Sequence, residues 1–209
     1  SHNCAFIGQV ADDQLGEVFA HDIRATGIAF TVPARPGQPP TARCLILVTP
    51  DAPRTMNTFL GASQFLPAEQ INAELIQNAA ILYLEGYLWD PEEPRAAMRT
   101  AIDLARAAGR KVALTLSDAF VISRHGPDFL AEMDAGRIDI LFANEVEITA
   151  LAGTSDFDAA VAAIAAKVPL LVVTRGEHGA IAVRGDERVA VTAEPVAHLV
   201  DTTGAGDLF

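Results

Sequence analysis

The sequence ends in a short glycine-rich turn that is followed by an acidic side chain. Gly204, Ala205 and Gly206 carry little or no side chain, so their backbone N–H groups can approach an anion closely. If a helix begins near Gly206, its free N–H groups and its dipole also favour a phosphate-like anion. Asp207 comes next and could accept a proton from an alcohol at that anion, with a plain helix N-cap as the structural alternative.

A second polar group follows a short apolar run at 138–142. Asn144 and Glu147 are three residues apart at the predicted start of a helix, so both side chains can face the same side. An amide oxygen and a carboxylate suit a Mg²⁺ ion held through water. The same pair also suits a helix cap, since Asn is a common N-cap and Glu at the third position completes a capping box.

A third polar group follows the apolar strand predicted at 170–174. The loop that begins at Thr174 contains Gly176 and Gly179, and two glycines allow the backbone to approach a ligand closely. An ordinary turn after a strand is the structural alternative. Because ligands of α/β sheets bind beyond the carboxyl ends of the strands, all three groups are candidates for one site.

Composition bounds the function classes. The net charge of −12 argues against nucleic acid as a partner, because such proteins need a basic face. No apolar run reaches the ~18 residues that span a bilayer, so no membrane partner is expected. Cys4 and Cys44 match no metal-ligand spacing, and we expect buried, reduced thiols in a cytoplasmic protein.

The order of the predicted elements favours an α/β fold. The predicted helices are 12–25, 67–78, 91–108, 127–135, 145–151 and 157–166. The predicted strands are 3–10, 28–32, 44–49, 80–84, 111–116, 138–142, 170–174, 180–183 and 188–191. Apolar strands that alternate with helices predict a doubly wound, mostly parallel sheet with helices on both faces. The last two strands flank Gly185-Asp186 and predict a hairpin.

The segment around residues 28–49 differs from the rest of the chain. Two short β-type runs, 28–32 and 44–49, are separated by a Pro- and Gly-rich connection at 33–40, which no helix tolerates. We interpret them as a small antiparallel β-lid that projects from a single domain covering residues 1–209. Lid strands with exposed edges often pair between subunits, so a homodimer through the lid is expected.

Three other mechanisms lack their sequence patterns. The chain has no G-x-x-x-x-G-K-[ST] loop and no G-x-S-x-G elbow. Gly204-Ala205-Gly206 lacks the third glycine and the later acidic residue of a dinucleotide fingerprint, which disfavours an oxidoreductase.

Asp201 to Asp207, read as DTTGAGD, resembles the C-terminal signature of the PfkB, or ribokinase-like, carbohydrate and nucleoside kinases. Residues 144–147 are similar to that family's N-x-x-E motif, residues 173–179 to its T-x-G-x-x-G loop, and the segment at 28–49 to its β-lid. The three motifs appear in the family's order, and the resemblance spans nearly the whole chain.

The resemblance implies ATP-dependent phosphorylation of a hydroxymethyl group on a nucleoside or sugar. Asp207 would be the base, and the N–H groups of Gly204 to Asp207 would hold charge on the transferred phosphoryl group. Asn144 and Glu147 would organise Mg²⁺ through water, with a monovalent cation as a further candidate ion. The ATP phosphates or ribose would be lined by Thr174, Gly176 and Gly179.

Departures from the family pattern favour one branch. Residues 118–122, DAFVI, lack the Asn and Arg of the D-x-N-x-R string that many sugar kinases carry. Three segments of this chain instead resemble the adenosine-kinase-like branch: DAFVI at 118–122, RTMNTFLGAS at 54–63 and YLEGYLWD at 83–90. We also expect parts of the family's substrate pocket to precede Ser1 and its catalytic helix to follow Phe209. A non-catalytic nucleotide-binding protein on the same fold is the competing hypothesis.

Overall fold

The computed structural model describes residues 3–37, 39–50 and 54–197, together with Gly204 and Gly206. It divides into two compact units. One comprises Ser1–Ile71 with Val196–Phe209, and the other comprises Asn72–Pro195. The single domain over 1–209 stays a prediction.

The unit Asn72–Pro195 is built on a six-stranded sheet. Its strands are β3 (Ile81–Glu85), β4 (Lys111–Thr115), β5 (Ile140–Asn144), β6 (Leu170–Thr174), β7 (Ala180–Arg184) and β8 (Glu187–Val191). They lie in chain order; β3 to β6 are parallel, and β7 and β8 are antiparallel to their neighbours. Its helices are α2 (Ala73–Asn78), α3 (Glu92–Ala107), α4 (Ala119–Asp134), α5 (Glu145–Ala152) and α6 (Phe157–Ala165). The predicted α/β class with a mostly parallel sheet is confirmed, as is the hairpin over 180–191.

The core of this unit lies between the central strands and the helices. Leu114, Leu141 and Leu171, from three neighbouring strands, are almost fully buried. Helix α3 presents a stripe of small and apolar side chains spaced three to four residues apart, including Ala97, Ala101 and Ala105, all buried. Burial on this scale fixes the strand ends, and with them the polar loops that follow each strand.

Two helices of this unit differ from their predicted bounds by more than one residue. Helix α4 begins at Ala119 rather than 127, because the Asp118 carboxylate accepts the Phe120 N–H at 2.6 Å and Pro127 lies inside the helix. The helix predicted over 67–78 is shorter, because Asn72 caps a new start by accepting the Leu75 N–H at 3.2 Å. Its first part, Ala68–Gln70, is a 3₁₀ turn.

The other unit contains α1 (Gln14–Ala25) and a two-stranded antiparallel sheet of β1 (Arg43–Val48) and β2 (Arg54–Phe59). The lid strand predicted at 44–49 is therefore present, but its partner is 54–59 and not 28–32. The residues around Ala29 instead bond to the chain near Cys4 and Phe6, at 3.0 and 2.9 Å. Isolated parallel bridges at Ala5–Ala29 and Ala11–Arg35 replace the strands predicted at 3–10 and 28–32.

The two cysteines are free thiols, as expected, but neither is buried. Cys4 is exposed and Cys44 is half-buried. Cys44 lies on the lid strand β1, where its Sγ is 3.2 Å from Thr58 Oγ1, and a two-stranded sheet leaves most of its side chains in solvent.

Among the described residues, no single helix is long and apolar enough to cross a membrane. Helices Glu145–Ala152 and Phe157–Ala165 form a bent pair that is long and apolar enough only when the two are counted together.

Candidate active site

Two of the predicted motifs begin at neighbouring strand ends. In the register of β5 and β6, Asn144 lies opposite Thr174, and these are the last residues of their strands. Alternate residues of both strands are buried, and the parallel direction of the strands brings their carboxyl ends to the same edge of the sheet. The structure therefore places the 144–147 motif beside the 174–179 loop, as the strand pattern predicts.

Asn144 and Glu147 form a complete capping box at the start of α5. The Asn144 Oδ1 accepts the Glu147 N–H at 2.8 Å, and the Glu147 Oε2 accepts the Asn144 N–H at 3.0 Å. The Asn144 amide also donates to Glu147 Oε1 at 2.7 Å. The structural alternative weighed from the sequence is thus realised, and it fixes the two side chains against each other.

Glu147 is an acidic side chain in an environment that disfavours its charge. Only 6% of its surface is exposed, and this burial raises the pKa of the carboxyl group above its ordinary value. The Asn144 N–H opposes the shift, while the negative charges of Asp118 and Glu85 increase it. Three carboxyl groups from three adjacent strand ends therefore share this edge of the sheet.

Sequence reasoning missed Glu85 and Asp118 as members of this site. Glu85 is the last residue of β3, and Asp118 caps α4 just after β4. Ser117, which precedes Asp118 in the chain, donates a hydrogen bond to Glu85 and adopts a left-handed φ of 67°. The available signal was an acid at or shortly after the end of each apolar strand, and it was applied only to residues 144–147.

The donor set fits a hydrated divalent cation better than a directly ligated one. Within the described ranges, no group of three or more His, Cys, Asp or Glu side chains is arranged to hold a metal ion. Both oxygens of Glu147 already accept a hydrogen bond from Asn144, although each retains a further lone pair. The accumulated negative charge favours a cation, and water molecules would span the remaining distance.

The loop after β6 is closed by its own backbone. The Arg175 N–H donates to the Gly179 carbonyl at 2.7 Å, and the His178 N–H donates to the Arg175 carbonyl at 3.0 Å. Gly179 has a φ of 85°, and a Cβ there would lie 1.9 Å from the Val191 carbonyl oxygen, so only glycine fits. Gly176 also has a positive φ, of 54°, but a Cβ there would meet nothing within 4 Å.

The terminal motif is only partly described. Ala205 and Asp207 lie outside the described residues, so their predicted roles stay predictions. Gly204 is half-buried and has a φ of 75°, a conformation that favours glycine. Gly206 is exposed. Both glycines belong to the unit that contains Ser1–Ile71.

Comparison with known proteins places this geometry in a family. The model of the pfkB family of carbohydrate kinases matches residues 1–209. The crystal structure of adenosine kinase from Sinorhizobium meliloti is similar with a TM-score of 0.95 and 48% identity, over 100% of this chain and 64% of that one. A probable sugar kinase from Rhizobium etli CFN 42 has a TM-score of 0.96 and 43% identity, over 100% and 63%.

A curated relative is more distant. Fructokinase-1 of Oryza sativa subsp. japonica is 29% identical over 98% of this chain and 65% of its own length. The chain therefore spans slightly less than two thirds of the length of each of these three relatives.

Proposed function

Because this chain belongs to the pfkB family of carbohydrate kinases, we propose that the protein transfers the γ-phosphoryl group of ATP to a hydroxymethyl group of a nucleoside or a sugar. The observation that carries the proposal is the pairing of Asn144 with Thr174 at one sheet edge. This pairing brings a capped acidic motif and a glycine loop together, and phosphoryl transfer needs a charge-balancing site beside a phosphate-binding one.

The proposed reaction assigns a role to each motif. The acceptor oxygen attacks the γ-phosphorus, the bond to the β-phosphate oxygen breaks, and the acceptor proton passes to Asp207. The N–H groups of Gly204, Ala205 and Gly206 hold the charge on the phosphoryl group, which is a large electrostatic contribution in such transfers. ADP and the phosphorylated acceptor are the products.

The 144–147 and 174–179 motifs take the nucleotide side of the proposed reaction. Thr174, Gly176 and Gly179 line the ATP phosphates or ribose, since the glycines let the backbone come close. Asn144 and Glu147 would hold Mg²⁺ through water, with a monovalent cation as a second candidate ion. An ion held there would supply positive charge that offsets the negative charge of the ATP phosphates.

Among acceptors, we propose a nucleoside of the adenosine type. Its support is the 48% identity to an adenosine kinase, together with the absence of the D-x-N-x-R string at residues 118–122. A sugar is the second candidate, and the 43% identity to a probable sugar kinase favours it.

We also propose that two copies associate through the lid. Strand β1 exposes apolar side chains on both faces of the two-stranded sheet. Leu45 and Leu47, on one face, are 70% and 63% exposed, and Ile46 and Val48, on the other, are 39% and 44% exposed. An isolated two-stranded sheet is marginally stable. A second lid would cover these exposed apolar side chains.

The substrate proposal is tested with full-length protein, ATP and a panel of nucleosides and sugars. ADP release and the mass of the phosphorylated product are measured for adenosine, other nucleosides, ribose and fructose. We expect the highest kcat/KM with adenosine. A preference for a sugar would move the assignment to the second candidate. ATP binding without turnover on any acceptor would instead favour a non-catalytic nucleotide-binding protein.

A further inference from the structure

A three-membered contact joins the nucleotide loop to the two helices beside it. The Arg175 guanidinium forms a two-pronged ion pair with Glu145, with Nε at 3.1 Å from Oε2 and Nη2 at 3.2 Å from Oε1. The same guanidinium lies over the ring of Phe157, with its carbon 3.9 Å from the ring centroid. We refer to Arg175, Glu145 and Phe157 as the arginine clamp.

The clamp connects the first residues beyond the paired strand ends. Arg175 follows Thr174, Glu145 follows Asn144, and Thr174 and Asn144 are register partners. Phe157 is the first residue of α6. The side chain of Arg175 thus spans from the nucleotide loop to the N-terminal turns of α5 and α6.

Arg175 also contributes its backbone atoms to the closure of the loop. Its N–H and carbonyl group make the two hydrogen bonds, to Gly179 and from His178, that close the loop. Gly176 and Gly179, both at positive φ, give the loop conformational freedom that must be lost when a ligand binds. Anchoring the Arg175 side chain removes part of that freedom in advance.

We infer that Arg175 is a positioning residue for the nucleotide: through Glu145 and Phe157 it holds the 174–179 loop in the conformation that binds ATP. This inference rests on the proposed function and deepens it. The guanidinium is already committed to a carboxylate and a ring, so it acts through the loop rather than by contacting the phosphates. Lysine cannot replace it, because it lacks the planar fork and stacks less well.

The test measures ATP binding by calorimetry, and KM and kcat for ATP, in full-length protein. The variants are Arg175→Ala, Arg175→Lys, Glu145→Gln and the double variant Arg175→Ala/Glu145→Gln. We expect each single change to weaken ATP binding about fivefold to tenfold, because part of the binding free energy must then be spent on ordering the loop. The value of kcat should stay within about twofold. The double variant should bind no more weakly than Arg175→Ala.

Arg188 and Asp158 supply the matched control. Their atoms are 2.7 Å apart in an exposed ion pair on β8 and α6, outside the loop. Arg188→Ala should leave ATP binding unchanged. An equal loss in this variant would overturn the inference, because the effect would then not be specific to the clamp.

Glu145→Gln separates positioning from direct contact. If Arg175 bound the phosphates itself, releasing it from Glu145 would tighten ATP binding, and that result would overturn the inference. Unchanged ATP binding in all clamp variants would also overturn it while leaving the proposed function intact. Failure of the unaltered protein to bind ATP would overturn the proposed function, and the inference with it.

Discussion

Glu147 combines burial, helix capping and unfavourable charge interactions in one side chain. It is buried, it closes the capping box with Asn144, and its charge is opposed by Asp118 and Glu85. The sequence suggested either a cap or a cation site at these residues. The cap is present in the structure, and the surrounding negative charge leaves the cation role compatible with it.

The raised pKa of Glu147 has a defined effect on stability. Because the folded protein binds the Glu147 proton more tightly than the unfolded chain does, the free energy of unfolding falls as pH rises from the ordinary carboxyl range through the raised pKa. Asp118→Asn removes one opposing charge, and Asn still suits the N-cap of α4. We expect the Glu147 pKa to fall in this variant, as measured by carboxyl NMR titration in metal-free buffer. An unchanged or higher pKa would contradict the proposed charge coupling.

At the scale of elements, the sequence pattern predicts the parallel strands of the six-stranded sheet well, whereas the starts of α2 and α4 and the partner of the lid strand depend on how the chain folds. The strand at 170–174 was predicted to the residue, because a continuous apolar run between polar loops has little alternative. The start of α4 was missed, since Pro127 resembles a helix beginning, whereas the cap by Asp118 depends on how the chain leaves β4. Glu85 and Asp118 were missed as site members because the order of the strands in the sheet decides which strand ends are neighbours.

The capping box of α5 can be compared with the simple cap of α6. Asn144 caps α5, and Asp156 caps α6 by accepting the Ala159 N–H at 3.0 Å. We expect Asp156→Ala to lower the free energy of unfolding by about 1 kcal/mol. Asn144→Ala should lower it by more, because it also removes the hydrogen bond to the buried Glu147 carboxylate. Only Asn144→Ala should raise the Mg²⁺ concentration needed for half-maximal activity in the full-length protein. Thermal unfolding and a Mg²⁺ titration check the two parts, and an equal Mg²⁺ effect from Asp156→Ala would refute the site assignment.

At the scale of the whole molecule, the lid was only half predictable. Strand 44–49 stands out in the sequence as an apolar run. Its partner, Arg54–Phe59, has polar residues between its apolar ones, so only the pairing in the structure identifies it as a strand.

The terminal motif is predictable from the sequence but only partly described by the structure. Its residue pattern is specific, while the structure describes only Gly204 and Gly206 of its last four members.

The exposed lid predicts the state of association. We expect the full-length protein to have twice the mass of one chain by light scattering, and Leu47→Asp to reduce it to one chain, because the charge would be buried against the second lid. Val189→Asp, at a 50% exposed position on β8, is the control and should remain a dimer. A monomeric unaltered protein, or a dimeric Leu47→Asp variant, would rule out the lid as the interface.

The most direct measurement of the proposed function is phosphoryl transfer by full-length protein with Asp207→Asn. A general base typically contributes about 10²–10⁴-fold to the rate. We therefore expect kcat with the preferred acceptor to fall by about that factor, while calorimetry shows ATP binding unchanged. Activity within a few-fold of the unaltered protein would contradict the role of Asp207 and the mechanism built on it.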